Sequence, residues 1–572
     1  MFKGKQEVTA ENDARAEVLH WDGRLDNRDD MLLRLRDSLN GDNSNAAIAR
    51  ATYERWGTAG FVHLIGDWSV VIRDHVTRTT ILASDFAGVR PLYYHVKQGS
   101  VLWSNRLQAL VEETGITDLD EDYVAAFLMF GACPNRTPYK AIYSVPPGHA
   151  VCVSSVSANA TSVHRFWEMP VGDVISYRSE RRYEEQLRAL FRKAVAVRLQ
   201  SDSPVLAELS GGLDSSAVVC VANDLIRNSA VRAPRLSGLS FVWPNSLDEP
   251  FIHEVESHCG IQGVHISTDD VPLMNETHVG AATPEAFGPL RMSVAAIASR
   301  FNAKTILTGQ LGDLVTGNWI DDSLQVAAFL RRFQFRRACE EVLAWSKILR
   351  RPVYQILWRA AQAALPAALT PAAIYSASDG SYTPKSVETS VVSELSSFEA
   401  TSLFSSAWMA APPERRRYFH ALTTILELRA LQPSEPLQQL DYTHPFAHRP
   451  LVEFLMTVPA NVLCRPGEPR RLMRAAFSDM WPVKIRERQS KGFFNVPWQQ
   501  ALRPLARVLL GSKRLHLVER GFVDRTSMRS RLERLCLGLD CNESQLRQII
   551  LLELWLRNRE RSARYGNALR AA

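Results

Sequence analysis

The pattern of hydrophobic and polar residues changes along the chain. Before about residue 165, short segments of alternating character predict β-strands separated by turns. These predicted strands are residues 63–74, 79–84, 91–95 and 101–104. From about residue 183, apolar runs alternate with helical stretches, which is typical of a parallel α/β sheet. Its predicted strands include residues 205–209, 237–243 and 305–308.

Beyond about residue 320 the strand pattern fades, and the remainder is predicted to be mainly helical. Residues 376–406 are rich in serine and threonine and are predicted to form an exposed loop. The predicted fold class is therefore mixed, α/β together with α+β. The predicted domains are a β-rich domain at residues 1–165, a linker at residues 166–182 and an α/β domain at residues 183–572.

The composition is that of an ordinary globular chain, with 572 residues, 46% hydrophobic and 22% charged. The first thirty residues carry charges throughout, and no apolar run is long enough to span a bilayer. We therefore expect a cytoplasmic protein with no membrane partner, in which the eight cysteines, without a C-x-x-C pair, are reduced. The net charge of +6 comes partly from arginine clusters without interleaved aromatic residues, which favours solvated helix faces over nucleic-acid contacts.

The sequence SGGLDSS at residues 210–216 follows a predicted strand and opens a predicted helix. Two glycines let backbone N–H groups approach an anion, hydroxyls can donate to it, and the helix presents its positive dipole end. An aspartate there can hold Mg²⁺ against phosphates. The motif lacks the lysine of a Walker A loop. The residues predicted to bind phosphates are Ser210, Gly211, Gly212, Asp214, Ser215 and Ser216.

This loop resembles the PP-loop of ATP pyrophosphatases, and further motifs extend the resemblance over nearly the whole chain. Residues 22–29, 66–68 and 85–94 resemble a class II glutamine amidotransferase domain. In the second half, Asp248-Glu249 and residues 308–313, 444–453 and 488–493 follow the PP-loop in order. In their order and spacing, these motifs resemble the asparagine synthetase and β-lactam synthetase superfamily. The resemblance implies ATP and Mg²⁺ as cofactors, with cleavage of ATP to AMP and pyrophosphate.

The resemblance also implies roles for single residues. Asp214 and Asp313 are expected to bind Mg²⁺, and Lys491 is expected to stabilise charge in the transition state. Glu427 is the candidate catalytic acid, although a surface carboxylate beside Arg429 is an equal interpretation. Gln310 stands where β-lactam synthetases have a tyrosine, and an amide cannot act as a base. The residues expected to line the adenine and ribose site are Leu239, Ser240, Gly309 and Gly312.

One departure from the amidotransferase pattern shapes the expected reaction. Those domains use an N-terminal cysteine as nucleophile, whereas this sequence starts Met1-Phe2-Lys3 and its first cysteine is Cys133. We therefore expect a degenerate amidotransferase-like domain without glutamine hydrolysis. An activated carboxyl group must then meet another amine, and the simplest source is the same substrate molecule.

The shortened first domain, which opens directly toward residues 22–29, most resembles that of the lasso-peptide macrolactam synthetases, which close a ring of this kind. That resemblance implies a precursor peptide as substrate, joined from an Asp or Glu side chain to its N-terminal amine, and a leader-peptide-binding protein and a leader protease as partners. Two alternatives stay open. One is an asparagine synthetase-like or β-lactam synthetase-like enzyme acting on a small acid, and the other is a pseudoenzyme scaffold that binds nucleotide or peptide.

Overall fold

The computed structural model describes ten stretches of the chain, and the predicted loop at residues 376–406 lies outside them. The described residues are 16–39, 41–133, 135–156, 161–172, 174–317, 321–365, 411–412, 414–489, 495–539 and 543–571. Among these residues, no helix combines the length and apolar character needed to cross a membrane.

The first part of the chain forms two antiparallel sheets. Their strands are β1 (Ala16–Gly23), β2 (Trp68–Asp74), β3 (Thr79–Ser84), β4 (Tyr93–Lys97), β5 (Ser100–Ser104), β6 (Ile142–Ser144), β7 (His149–Ser154) and β8 (Thr161–Arg165). The larger sheet has the order β1-β2-β3-β7-β8, and the smaller one has the order β5-β4-β6. The helices of this part are α1 (Arg28–Arg34), α2 (Asn45–Trp56), α3 (Leu107–Thr114) and α4 (Glu121–Phe130).

Strand β2 shows why alternating residues build this domain. Successive side chains on a strand point to opposite faces. Val70 and Ile72 pack in the core cluster that also holds Ile48 of helix α2, whereas Val71 packs with Leu92 of the neighbouring segment. Both faces of the larger sheet are therefore covered. The strand predicted at residues 63–74 begins only at Trp68, because a 3₁₀ helix occupies Gly57–His63.

The second part of the chain contains a five-stranded parallel sheet. Its strands are β9 (Val205–Glu208), β10 (Leu236–Val242), β11 (Gln262–Ser267), β12 (Thr305–Leu307) and β13 (Asp441–Thr443), in the order β11-β10-β9-β12-β13. In the register, Val205 lies opposite Leu236 on one side and Thr305 on the other. The pattern predicted the three inner strands but not the edge strands β11 and β13. Strand β11 is buried only at Ile266 and so lacks a clear apolar pattern, and β13 is only three residues long.

Helices surround the parallel sheet and fill the C-terminal part. Those before β13 are α5 (Glu180–Ala196), which precedes β9, and then α6 (Leu213–Arg227), α7 (Glu249–Cys259), α8 (Gly288–Arg300), α9 (Gly312–Val315), α10 (Val326–Arg331), α11 (Phe335–Leu349), α12 (Val353–Ala364) and α13 (Arg416–Glu427). Those after β13 are α14 (Arg449–Thr457), α15 (Ala460–Leu463), α16 (Arg471–Ala476), α17 (Val483–Glu487), α18 (Asn495–Leu510), α19 (His516–Glu519), α20 (Arg525–Cys536) and α21 (Glu543–Ala571).

Candidate active site

At the carboxyl edge of the parallel sheet, residues 209–212 form a tight loop between strand β9 and helix α6, and residues 213–216 are the first turn of that helix. Gly211 has a φ of 67°, and a Cβ atom there would lie 2.9 Å from the Cβ of Phe251. The Ser215 hydroxyl closes the loop, because it lies 3.1 Å from both the backbone nitrogen and the Oγ of Ser210. The first N–H groups of the 15-residue helix α6 follow directly, so the loop has the form of an anion site.

The segment after strand β12 packs against the start of helix α6. A Cβ on Gly309 would lie 2.7 Å from the backbone nitrogen of Ser215, and a Cβ on Gly312 would overlap the Asp214 carboxylate. These glycines, predicted to line the nucleotide, therefore also permit the close approach of the two segments. Strands β10 and β12 flank β9 on opposite sides, so the direction in which strands are added to the sheet reverses at β9. Such a topological switch point is where open α/β sheets bind ligands.

The two predicted magnesium ligands come together there. Asp214, at the start of α6, and Asp313, at the start of α9, both form ion pairs with the guanidinium of Arg470. The Asp214 and Arg470 side chains are nearly buried, with 9% and 4% of their surfaces exposed, whereas the Asp313 side chain is 37% exposed. A shared cation compensates two carboxylates that would otherwise repel each other. The pair also supplies the hard oxygen ligands that Mg²⁺ prefers.

Two motifs that are far apart in the sequence contact each other and the PP-loop. Arg488 forms an ion pair with Asp248 and donates a hydrogen bond of 2.8 Å to the Gly211 carbonyl oxygen. Its guanidinium also stacks 3.9 Å from the centre of the Phe251 ring. The loop conformation is thus fixed by side chains from helix α7 and from the segment after α17.

Two buried serine hydroxyls lie in the segments that the sequence predicts to bind the nucleotide. The Oγ atoms of Ser216 and Ser240 are buried, and neither has a hydrogen-bond partner within the described residues. Buried hydroxyls are normally paired, so these two lack the partner that such groups usually have. Leu239, predicted to line the same site, is a core residue whose carbonyl oxygen accepts a hydrogen bond from Leu209.

A cavity of about 300 Å³ lies between the first domain and the parallel-sheet domain. Its first-domain wall carries aromatic residues, among them Tyr93, Tyr123 and Phe127. The opposite wall carries Arg291, Gln310 and Tyr442 from the parallel-sheet domain. The cavity therefore combines aromatic rings with polar and charged groups that could orient a ligand.

Three residues that line this cavity, Arg291, Gln310 and Tyr442, form a hydrogen-bonded group with Glu208, and we call these four residues the Tyr442 cluster. The Tyr442 hydroxyl donates to Glu208 Oε1 at 2.8 Å, and Arg291 donates to both groups at 3.0 Å. Gln310 Nε2 donates to the Tyr442 hydroxyl at 3.3 Å. Burial and the adjacent Glu208 carboxylate raise the pKa of Tyr442 well above its usual value. The phenol therefore stays protonated, and Glu208 lies only two residues before the PP-loop.

The two predicted catalytic residues are less informative. Glu427 is the half-buried last residue of helix α13, and its role stays a prediction. Its neighbour Arg429 donates a 2.9 Å hydrogen bond to the Arg136 carbonyl oxygen in the first domain. Lys491 lies outside the described residues, three positions after Arg488.

The amidotransferase-like motifs contribute a buried charge network between the two domains, which we call the interdomain network: Arg24, Asp26, Asp67, Arg198, Thr443 and His448. Asp67 accepts from Arg198 at 3.1 Å and from Arg24 at 2.6 Å. Asp26 accepts from Arg24 at 2.9 Å, and His448 Nδ1 lies 3.1 Å away. Burial favours neutral carboxyl groups, but the arginines outweigh it and hold the pKa of Asp26 and Asp67 below the usual range.

The described cysteines of the first domain do not provide an activated thiol. Burial raises the pKa of Cys133 to about 12 and the pKa of Cys152 to about 11. The thiolate is the nucleophilic form of cysteine, so both side chains are unreactive near neutral pH.

The fold and the PP-loop together define the class of protein, and comparisons with known proteins identify the family. The asparagine synthase model matches residues 186–557, and the glutamine amidotransferase domain model matches residues 3–167. The chain therefore belongs to the asparagine synthase family. The predicted fold class is confirmed, with a β-rich amidotransferase-like first domain, a parallel sheet and a helical C-terminal part.

Single relatives are distant. The chain is 26% identical over 302 residues to amidase chyE of Penicillium rubens, covering 47% of this chain and 42% of that protein. It is 27% identical over 237 residues to asparagine synthetase 3 (glutamine-hydrolyzing) of Bacillus subtilis, covering 38% and 36%. The chain thus spans about two fifths of the length of these relatives. Among solved structures, it resembles the B. subtilis glutamine phosphoribosylpyrophosphate amidotransferase at 14% identity and a TM-score of 0.21, covering 53% of this chain and 73% of that chain.

Proposed function

We propose that the protein is an ATP-dependent ligase that joins a carboxylate to an amine, with release of AMP and pyrophosphate. The observation that carries this proposal is the convergence of Asp214 and Asp313 beside the PP-loop, at the switch point of a parallel sheet. Membership of the asparagine synthase family supports the same chemistry.

In this proposal, the PP-loop binds the phosphates of ATP through the amides at the start of α6 and the hydroxyls of Ser215 and Ser216. Asp214 and Asp313 would hold Mg²⁺, which would neutralise phosphate charge when bound. Arg470 would then exchange one carboxylate for a phosphate oxygen, since guanidinium groups bind both anions. The unpaired Ser240 hydroxyl would take a polar atom of the nucleotide.

The Tyr442 cluster would assist the attacking amine. A protonated amine is not a nucleophile, so one proton must leave it before the amide bond forms. Tyr442 could accept that proton on its hydroxyl oxygen once Gln310 Nε2, at 3.3 Å, releases that oxygen, while it donates its own proton to Glu208 Oε1 at 2.8 Å. This cluster would supply the base that Gln310 cannot provide, and Gln310 instead helps to orient the tyrosine.

For the substrate, we propose a precursor peptide whose Asp or Glu side chain is adenylated and then closed by the peptide's own N-terminal amine. The raised pKa values of Cys133 and Cys152 support an amine source other than glutamine hydrolysis by these thiols. The aromatic wall of the cavity would suit apolar peptide side chains. A leader-peptide-binding protein and a leader protease are the partners that this substrate requires.

A second candidate is the amidation of a small acid by free ammonia, as in an asparagine synthetase-like enzyme. The cavity volume favours it, because about 300 Å³ lies at the lower end of the range for small-molecule sites.

Mass spectrometry with MgATP distinguishes these candidates. The full chain would be incubated with a candidate leader-free precursor peptide, with and without a candidate leader protease, while AMP and pyrophosphate are measured. We expect the peptide to lose one water in step with AMP formation. A parallel reaction would contain aspartate and ammonium in place of the peptide.

The matched variants are Asp313→Asn, which should abolish turnover, and Asp270→Asn, an exposed carboxylate that should not affect it. AMP formation with aspartate and ammonium alone would replace the peptide proposal with the small-acid candidate. An absence of turnover in both reactions, despite ATP binding, would indicate a scaffold and would contradict the ligase proposal.

A further inference from the structure

A second group of ligand-type side chains lies where helix α7 meets the edge strand β11, apart from the Arg470 contacts. His253 and Glu256 are one helical turn apart on α7, and His265 is on the adjacent strand β11. His253 Nδ1 lies 3.0 Å from Glu256 Oε2, and His265 Nε2 lies 2.8 Å from Glu256 Oε1. One ligand atom from each residue falls within 4.8 Å of the others.

Two glycines provide the space that this group needs. Gly238 and Gly263 lie opposite each other on strands β10 and β11. A Cβ on Gly263 would overlap the Glu256 carboxylate and lie 2.7 Å from His265 Nε2, and a Cβ on Gly238 would lie 3.6 Å from Glu256 Oε1. Gly263 does not have a positive φ, so its backbone does not demand glycine. The missing side chain instead allows the carboxylate and the imidazole to meet on the sheet.

We propose that His253, Glu256 and His265 bind a divalent transition metal ion such as Zn²⁺. Two imidazoles and one carboxylate are a normal ligand set for such ions, with a fourth position left to water. Ligand bonds of about 2.1 Å in a tetrahedral site separate the ligand atoms by roughly 3.4 Å, so small side-chain movements would admit the ion. Within the described residues, no other three His, Cys, Asp or Glu side chains converge in this way.

Binding would connect helix α7 to strand β11 close to the nucleotide loop. Helix α7 starts beside Asp248, which pairs with Arg488, and its Phe251 packs against Gly211 of the PP-loop. The ion would therefore restrain the helix that supports the loop, without entering the loop itself. Such an ion would stabilise the folded chain by mass action.

The proposal is tested by calorimetric titration of Zn²⁺ into the full chain without an affinity tag, in excess Mg²⁺ to occupy the PP-loop carboxylates. We expect one ion per chain and, with Co²⁺, the visible absorption of a four-coordinate site. Glu256→Gln and His265→Ala should each weaken Zn²⁺ binding at least about tenfold. Loss of a residue that only hydrogen-bonds to a metal ligand already costs about that much affinity, and loss of a ligand itself should cost no less. Gly263→Ala should do the same by displacing Glu256.

His258→Ala is the matched control. His258 lies on the same helix and contacts the Met480 carbonyl oxygen, outside the proposed site, so its loss should leave Zn²⁺ affinity unchanged. Melting curves without metal would show whether each variant folds. The proposal is overturned if the wild-type chain binds no ion, if Glu256→Gln and His265→Ala bind as tightly as the wild type, or if His258→Ala weakens binding equally.

Discussion

Two buried arginine–carboxylate groups in this molecule look alike but differ in what surrounds them. In the interdomain network, the Asp26 and Asp67 side chains are 1% exposed, and each carboxylate oxygen has an arginine partner. At the PP-loop, Arg470 also joins two carboxylates, but Asp313 is 37% exposed and the nearby Ser216 hydroxyl has no partner within the described residues. The first group is closed to ligands, whereas the second is open to them.

The difference teaches that buried charge alone does not mark an active site. Asp26 and Asp67 belong to motifs that resemble an amidotransferase domain, yet their carboxylates join that domain to Arg198 and Thr443 of the other. Asp214 and Asp313 lie at a switch point next to a helix N-terminus, where a ligand can replace the arginine. We therefore expect substitutions in the first network to affect stability and those at the PP-loop to affect activity.

The largest effect is expected for Asp313→Asn. Loss of one carboxylate beside the PP-loop should lower the rate of AMP formation about a thousandfold, because bound metal supplies several kcal/mol of charge stabilisation. Steady-state assays of AMP would measure this. The melting temperature should change little, since the Asp313 side chain is partly exposed. A large loss of stability without a loss of activity would show that Asp313 has a structural role, like the carboxylates of the interdomain network.

Asp67→Ala should produce the opposite result. It leaves Arg24 and Arg198 buried without their shared carboxylate, which should lower the free energy of unfolding by about 3 to 5 kcal/mol. Urea denaturation would measure the change, with the exposed Asp30→Ala as control. An unchanged unfolding midpoint for Asp67→Ala would show that the network does not hold the domains together.

Tyr442→Phe should distinguish adenylation of the carboxylate from the later formation of the amide bond. The variant keeps the ring but loses the proton path to Glu208, so amide formation should slow about a hundredfold. Adenylation should continue, as measured by exchange of labelled pyrophosphate into ATP. Equal losses in both assays would indicate that Tyr442 only supports the fold of the site.

The smallest expected effect is a dependence of stability on acid pH. Because the pKa of Asp67 is lowered from its ordinary value of 3.8, its contribution to stability is present above that pH and is lost as the pH falls further. The difference in melting temperature between wild type and Asp67→Asn should therefore be constant from pH 6 down to about pH 4 and should narrow progressively as the pH falls further. A difference that stays constant into acid would mean that the Asp67 charge is not involved.

The sequence predicts some parts of this site and misses others for a physical reason. The PP-loop is local, since the seven consecutive residues 210–216 run from the end of a strand into the first turn of a helix. The approach of Asp214 and Asp313 also follows from parallel topology, because both come after sheet strands. Arg470 lies 256 residues after Asp214, and no periodicity relates such positions.

The Tyr442 cluster was missed for the same reason. Tyr442 lies 234 residues from Glu208, on a strand too short to give a periodic pattern. One signal was present in the sequence, namely an acidic residue at the end of the apolar run at 205–209. A charged side chain at the carboxyl end of a buried parallel strand is a reason to look for partners.

The most direct test of the central claim is calorimetric binding of Mg²⁺ with the α,β-methylene analogue of ATP, which cannot be cleaved at the proposed bond. Wild type, Asp313→Asn and Asp67→Asn would be compared at a temperature where all three are folded. We predict one site per chain, affinity at least about tenfold weaker for Asp313→Asn, and unchanged affinity for Asp67→Asn. Unchanged binding by Asp313→Asn, or equal losses in both variants, would contradict the assignment of the Arg470 group as the nucleotide site.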